Sequence, residues 1–251
     1  MLATKDIVNY LDEYLRIREI KDDSLNGLQV QGRPEVEKLG FAVDASLDAF
    51  EAARAANVDL LIVHHGLFWG REQPITHSHY HRIRLLIESG LNLYCAHLPL
   101  DAHPEVGNNA QLASQLDLDV EYYFGQYKGT PIAVYARARK KLHAGELLEK
   151  LKTVVGEHVR LDEFGPQTFR NIGICSGAGA SFIPEAKQLG MEAFITGEPR
   201  HSYYNYSKEE KMHIYYGRHY DTETLGLKAL ADHLQDLFKL PTQFFDLPSF
   251  I

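Results

Sequence analysis

The chain has 251 residues, 45% of them hydrophobic and 24% charged, and a net charge of -8. That length supports a sizeable core, the even mixture argues against disorder, and the acidic balance argues against general nucleic-acid binding, which draws on Lys and Arg to neutralise phosphates. No run approaches the roughly 18 apolar residues of a membrane span, and residues 1–18 lack the apolar core of a signal peptide, so a cytoplasmic protein with no membrane partner is expected.

From the amino terminus onward, helix-period segments alternate with short apolar runs, the pattern of an α/β protein. In chain order the spacing predicts a helix over 6–17, strand 39–43, helix 46–56, strand 59–63, helix 81–89, strand 91–96 and helix 107–116. Strand 131–136, helix 147–155, strand 171–175, helix 180–189, strands 192–196 and 213–216 and helix 223–237 follow. The last is the clearest, because Leu227, Leu230, Leu234 and Leu237 recur on one helix face. Residues 137–141 are charge-dense and read as a solvated strand end. Cys95 and Cys175 lie within apolar strand runs, where a thiol behaves as a small hydrophobe, and no disulfide is expected.

Comparison of the chain with itself adds a larger pattern. Residues 40–65 align without a gap on 173–198, and residues 93–97 match 215–219, which brings Asp101 onto Glu223. Two similar α/β lobes, 1–124 and 125–251, with mixed sheets flanked by helices, are expected to meet at their strand ends, where α/β sheets bind ligands. The rival reading is chance likeness between β/α units.

Thirteen histidines are the compositional oddity, and three clusters give them meaning. A buried strand ends in Val63-His64-His65-Gly66, and the glycine lets the chain turn so that both imidazoles face one centre. After the next strand comes His97-Leu-Pro-Leu-Asp101, with Pro99 setting a turn that sends Asp101 from the same sheet edge. His97 is either a ligand or the residue that orients one. The third cluster is His219-Tyr-Asp-Thr-Glu223, with Glu223 expected in the first turn of the final helix and His219 just before it. Taken singly, each has an ordinary structural explanation: a core histidine, a helix cap, an acid at a helix dipole.

Five ligands, His64, His65, Asp101, His219 and Glu223, exceed what one tetrahedral zinc needs, and a carboxylate can bridge two ions. The arithmetic favours a dinuclear centre of two divalent ions, with Zn, Fe, Mn and Ni all open, that ionises water near neutral pH for hydrolysis. No serine nucleophile elbow, phosphate loop or dinucleotide fingerprint occurs. Glu198, opposite His65 in the internal alignment, and His97 are the candidate catalytic residues for proton transfer.

At these residues the chain resembles the GTP cyclohydrolase I type 2 homologues, the Nif-three-like dinuclear metal-centre family. The resemblance rests on Asn26-Gly27-Leu28-Gln29, Val63 to Gly66, His97 to Asp101, Thr196-Gly197-Glu198 and the His219/Glu223 pair. It implies the same five ligands, a homohexameric ring, and a small-molecule or nucleotide substrate such as GTP, opened at C8 of guanine with release of formate. Several members carry a further His after the Gly-Glu pair where this chain has Arg200-His201-Ser202, which leaves His201 without an assigned role. The alternative function is a metal-binding, ring-shaped scaffold or DNA-associated protein with little turnover.

Overall fold

The computed structural model describes residues 1–249. They divide into two compact units, Met1–Leu100 with Leu227–Leu247, and Asp101–Gly226 with Pro248 and Ser249. The division thus falls at Leu100 instead of residue 124, and the end of the chain returns to the first unit. The cause is a short strand, Thr242–Phe244, that pairs in parallel with Leu39–Asp44. Its three residues are too few to show a period.

The first unit is built on a five-stranded sheet in the order Thr242–Phe244, Leu39–Asp44, Leu60–His65, Asn92–Cys95, Gly27–Val30. Neighbours are parallel except for the last pair. Leu60, Leu61, Ile62 and Val63 are wholly buried, and helices Leu47–Ala55 and His77–Ser89, which link the parallel strands, close the face that carries Leu61 and Val63. Ser46 starts the first of these helices by accepting the Ala49 amide at 3.1 Å, and Gly90 ends the second with φ 65°. Phe50, Leu86, Leu93 and Phe245 are among the side chains that close one core.

In the second unit six strands follow the order Leu118–Tyr127, Thr130–Leu142, Phe169–Cys175, Ala193–Thr196, His213–Tyr216, Arg160–Asp162. The three from Phe169–Cys175 to His213–Tyr216 are parallel, with antiparallel pairs outside them. Residues 137–141 do lie on a strand with Arg137 and Arg139 exposed while Ala136 and Ala138 are buried. Both cysteines are buried free thiols.

The units repeat one another in hydrogen-bonding detail. Gly40 pairs with Leu61 in the first and Gly173 with Phe194 in the second, the register the gapless alignment requires. Asp59 Oδ2 accepts the amides of Glu37 and Lys38 at 2.9 and 3.2 Å. Glu192 Oε2 accepts those of Arg170 and Asn171, the aligned positions, at 3.1 and 3.3 Å. The second match needs correction. Ile62 pairs with Tyr94 and Ile195 with Tyr215, so Tyr94 corresponds to Tyr215 and His97 to Arg218, one residue from the expected partner His219. Ladder bonds from Ala96 N to Val63 O and from Gly217 N to Thr196 O, both 2.9 Å, fix that register.

Several elements have no sequence signal. Strand Leu118–Tyr127 is an edge with four exposed residues in a row, and helices Leu98–Asp101 and His219–Thr222 are single turns. Among the described residues, no helix is long and apolar enough to cross a membrane.

Candidate metal centre

In the first unit three histidines gather at the carboxyl ends of two parallel strands. His64 and His65 close Leu60–His65, and His97 follows Asn92–Cys95. Both His64 and His65 belong to the strand, where neighbours ordinarily face opposite ways. His65 is its last residue, and the two rings nevertheless lie 4.7 Å apart at 49°. The His97 ring is 5.0 Å from His64 and 5.6 Å from His65. One ring nitrogen from each falls within 4.8 Å of the others.

Each Nδ1 is engaged by an oxygen: that of His64 by Ala96 O at 3.0 Å, that of His65 by Asp44 Oδ1 at 2.8 Å, that of His97 by Asp22 Oδ2 at 3.0 Å. A carbonyl or carboxylate accepts the Nδ1 proton, so Nε2 is the nitrogen each ring offers as donor. Sequence reasoning missed Asp22 and Asp44, which lie far along the chain from the histidines they hold and follow no local pattern.

The Asn26 to Gln29 motif holds this arrangement together. Asn26 Oδ1 accepts the His97 amide at 2.7 Å, while Asn26 Nδ2 donates to Asp22 at 2.8 Å. Gln29 accepts the Leu67 amide at 2.7 Å and packs on Gly66, where a Cβ would meet its Nε2 at 2.3 Å. Trp69 donates its indole N–H to Gly66 O and sets its ring against His97 at 5.0 Å. Burial pushes the Asp22 carboxyl pKa up, but the hydrogen bond and charge of His97, with Asn26 and the Ser24 amide, outweigh it and hold the group well below the usual carboxylate range.

The second unit places Asp101, Glu198, His219 and Glu223 around the end of strand Phe169–Cys175. Asp101, the last residue of a helical turn, accepts from Asn108 Nδ2 at 2.9 Å and Ser176 Oγ at 3.3 Å. His219 opens the turn His219–Thr222, set up by Arg218 at φ 64°. Glu223 closes that turn and is buried, so it precedes the final helix Thr224–Phe238 instead of lying in its first turn. His219 Nε2 meets Glu223 Oε2 at 3.0 Å, and its Nδ1 meets Glu198 Oε1 at 2.5 Å. Glu198, expected as a proton-transfer residue, thus lies in hydrogen-bond contact with the His219 ring. Gly177 (φ +57°) makes room for the pair, since a Cβ there would stand 2.1 Å from Glu223 Oε1 and 3.2 Å from His219 Nε2.

Burial disfavours the charged His219 ring, but Glu223 and then Glu198 more than compensate and raise its pKa from 6.5 to about 9. A proton on Nε2 thus occupies the point between imidazole and carboxylate that suits a cation. Elsewhere, His201 is exposed at the start of helix His201–Glu209, and His79 lies with its edge on Phe68. Neither belongs to a potential ligand group among the described residues.

Residues 2–248 match the family Duf34/NIF3 (NGG1p interacting factor 3). A relative in Deinococcus radiodurans, named GTP cyclohydrolase 1 type 2 homolog, is 42% identical over 99% of this chain and 94% of its own. One of the same name in Pyrococcus abyssi is 43% identical over 99% of each chain. A crystal structure of a protein from Thermus thermophilus superposes with TM-score 0.90 at 39% identity, over 100% of both chains.

Proposed function

We propose, from the premise that the chain belongs to the Duf34/NIF3 family, that it is a metal-dependent hydrolase holding two divalent ions with His64, His65, Asp101, His219 and Glu223. The observation that carries this reading is the way the imidazoles are held. In each unit a histidine's Nδ1 is tied to a carboxylate, Asp44 for His65 and Glu198 for His219, which fixes ring and tautomer as metal-ligating histidines require. A core histidine also needs a partner for its buried N–H, but these rings turn a second nitrogen towards other donors, His64 and His97 for His65 and Glu223 for His219. The donors suit the ions as well: neutral imidazoles take Zn, Fe and Ni, and the carboxylates of Asp101 and Glu223 also serve Mn.

When bound, the ions polarise the substrate and lower the pKa of water towards neutrality. The chain's own part is orientation. Asp44 and Glu198 keep their histidines in place, Asn108 and Ser176 fix Asp101, and Gly177 leaves the space in which Glu223 and His219 meet. The name shared by the relatives points to a nucleotide such as GTP as substrate, with formate as the product of ring opening. We take the enzyme to be a hexameric ring on the strength of the sequence resemblance, and cytoplasmic because both cysteines are buried free thiols.

Elemental analysis of the full chain after metal-replete purification tests the centre; two ions per chain are expected, and none or one rejects it. Formate release from GTP, measured against a free-metal background beside simple phosphodiesters, tests the reaction. A metal-loaded protein inert on all of these favours the scaffold. Glu198→Gln separates the two roles of that carboxylate. If it orients His219, metal affinity falls roughly 10–100-fold, whereas a proton-transfer residue would leave both ions bound and slow turnover alone.

A further inference from the structure

We propose that Trp69 is a specificity-determining residue, its indole stacking on the planar base of a nucleotide substrate; this rests on the hydrolase reading above and names the group that Trp69 would recognise.

The internal repeat singles out the loop that carries Trp69. In the second unit the chain passes from Glu198 to helix His201–Glu209 through Pro199 and Arg200 alone. At the aligned place in the first unit, eleven residues, Gly66 to Thr76, separate His65 from helix His77–Ser89. A strand and helix of this kind need a connection of only about 2–6 residues, so the shared frame does not require the added length. The inner part of the loop is fixed. Trp69 forms an antiparallel bridge with Ser24, Phe68 O accepts the Leu25 amide at 3.0 Å, and Gln29 accepts the Leu67 amide at 2.7 Å. The indole N–H is taken by Gly66 O at 2.9 Å, so the ring is oriented before any ligand binds. Beyond Trp69 the loop, residues 70–76, is exposed.

What the fixed part presents is apolar and flat. Trp69 is only half-buried, although its ring centroid lies 5.0 Å from that of His97 and 6.1 Å from that of His65. Leu25, next to its bridge partner Ser24, is 58% exposed. An apolar wall beside a few oriented polar groups is the lining of a small-molecule site. An indole stacks on a base through its π-face whatever the base's hydrogen-bonding pattern. A clamp on Gly66 and His97 would explain the N–H bond and the ring contact, and would explain neither the exposed part of the indole nor Leu25.

Trp69 is the chain's only tryptophan, so its fluorescence reports the contact directly. The metal-loaded full chain is titrated with guanosine monophosphate and with ribose phosphate, which lacks the base; free tryptophan amide in the same solutions corrects for absorption by the nucleotide. Guanosine monophosphate should quench the emission saturably and ribose phosphate should not. No saturable change with the nucleotide, or an equal change with both ligands, overturns the inference.

Equilibrium dialysis of variants extends the test. Trp69→Leu should weaken guanosine monophosphate binding by roughly 5–150-fold, the range for losing one base–aromatic stack, and leave ribose phosphate binding and metal content unchanged. Trp69→Phe, which keeps a ring, should restore most of the loss. If Trp69→Leu instead loses metal and both ligands together, Trp69 is a clamp and the inference falls. If that variant does not fold, the quenching of the parent decides. Two bound ions and turnover of a phosphodiester with no response of Trp69 to the nucleotide remove the stacking role and leave the hydrolase standing, whereas a chain that takes up no metal removes both.

Discussion

At the scale of single residues, the two candidate donor sets differ in what holds them in the metal-free chain. His64, His65 and His97 are held from behind through Nδ1. His219 is held on both nitrogens by carboxylates, and its pKa of about 9 makes it a protonated bridge in the metal-free chain. The folded-state value lies above the unfolded 6.5, so this pairing stabilises the fold fully below pH 6.5 and is lost as pH rises through about 9. Thermal melts of chelator-treated protein should therefore fall across that window, and His219→Gln should lack that part of the fall. Identical pH profiles for parent and variant would show that the pairing contributes nothing. Metal binding runs the other way. A divalent ion must displace the same proton, so affinity should rise with pH over the window as a proton is released. The residue types and their place at strand ends made the candidate clusters legible in the sequence. Their supports were not legible, because Asp22 and Asp44 meet His97 and His65 only after the sheet forms.

At the scale of elements, what the sequence revealed followed length and period. The strands with continuous apolar runs and the long amphipathic helices lie where the spacing puts them, as with Leu60–His65 and Thr224–Phe238. The single turns that present Asp101 and His219 were invisible, since four residues cannot display a 3.6 period. Those turns carry the candidate donors Asp101 and His219. Turn His219–Thr222 depends on Gly177, whose amide donates to Thr222 Oγ1 at 3.0 Å. Gly177→Ala places a Cβ 2.1 Å from Glu223 Oε1 in a backbone with φ +57°. It should cost about 1 kcal/mol or more in backbone strain and displace Glu223, so metal held by the second unit's donors should be lost while far-UV circular dichroism stays near that of the parent. Full metal occupancy in this variant would mean that Glu223 is not a ligand.

Across the whole molecule, the two units are variations on one β/α unit, and the duplication was half legible. The long gapless match gave the right ladder register, because Gly40 with Leu61 and Gly173 with Phe194 are the same pair. The five-residue match slipped by one, since two histidines drew the alignment together while main-chain hydrogen bonds put His97 opposite Arg218. The units have thus kept their frame and diverged at the strand ends, one towards imidazoles and one towards carboxylates. What they kept is visible in Asp59 and Glu192, each capping two amides at the entry to its first central strand. If that cap is part of the frame, both truncations should destabilise. An amide left without its acceptor costs up to about 1–3 kcal/mol where water cannot reach it; Asp59 is buried, its two amides are part-buried, and its loss also frees Arg33 from a 2.9 Å pair, so Asp59→Ala should be the larger loss. Glu192 is only half-buried, water can replace its oxygen, and Glu192→Ala should fall at the low end. Urea unfolding of the metal-free protein measures both. A Glu192→Ala midpoint equal to the parent's would show that the second cap is a relic of the repeat without a share in stability, and an Asp59→Ala midpoint equal to the parent's would remove the cap from the frame altogether.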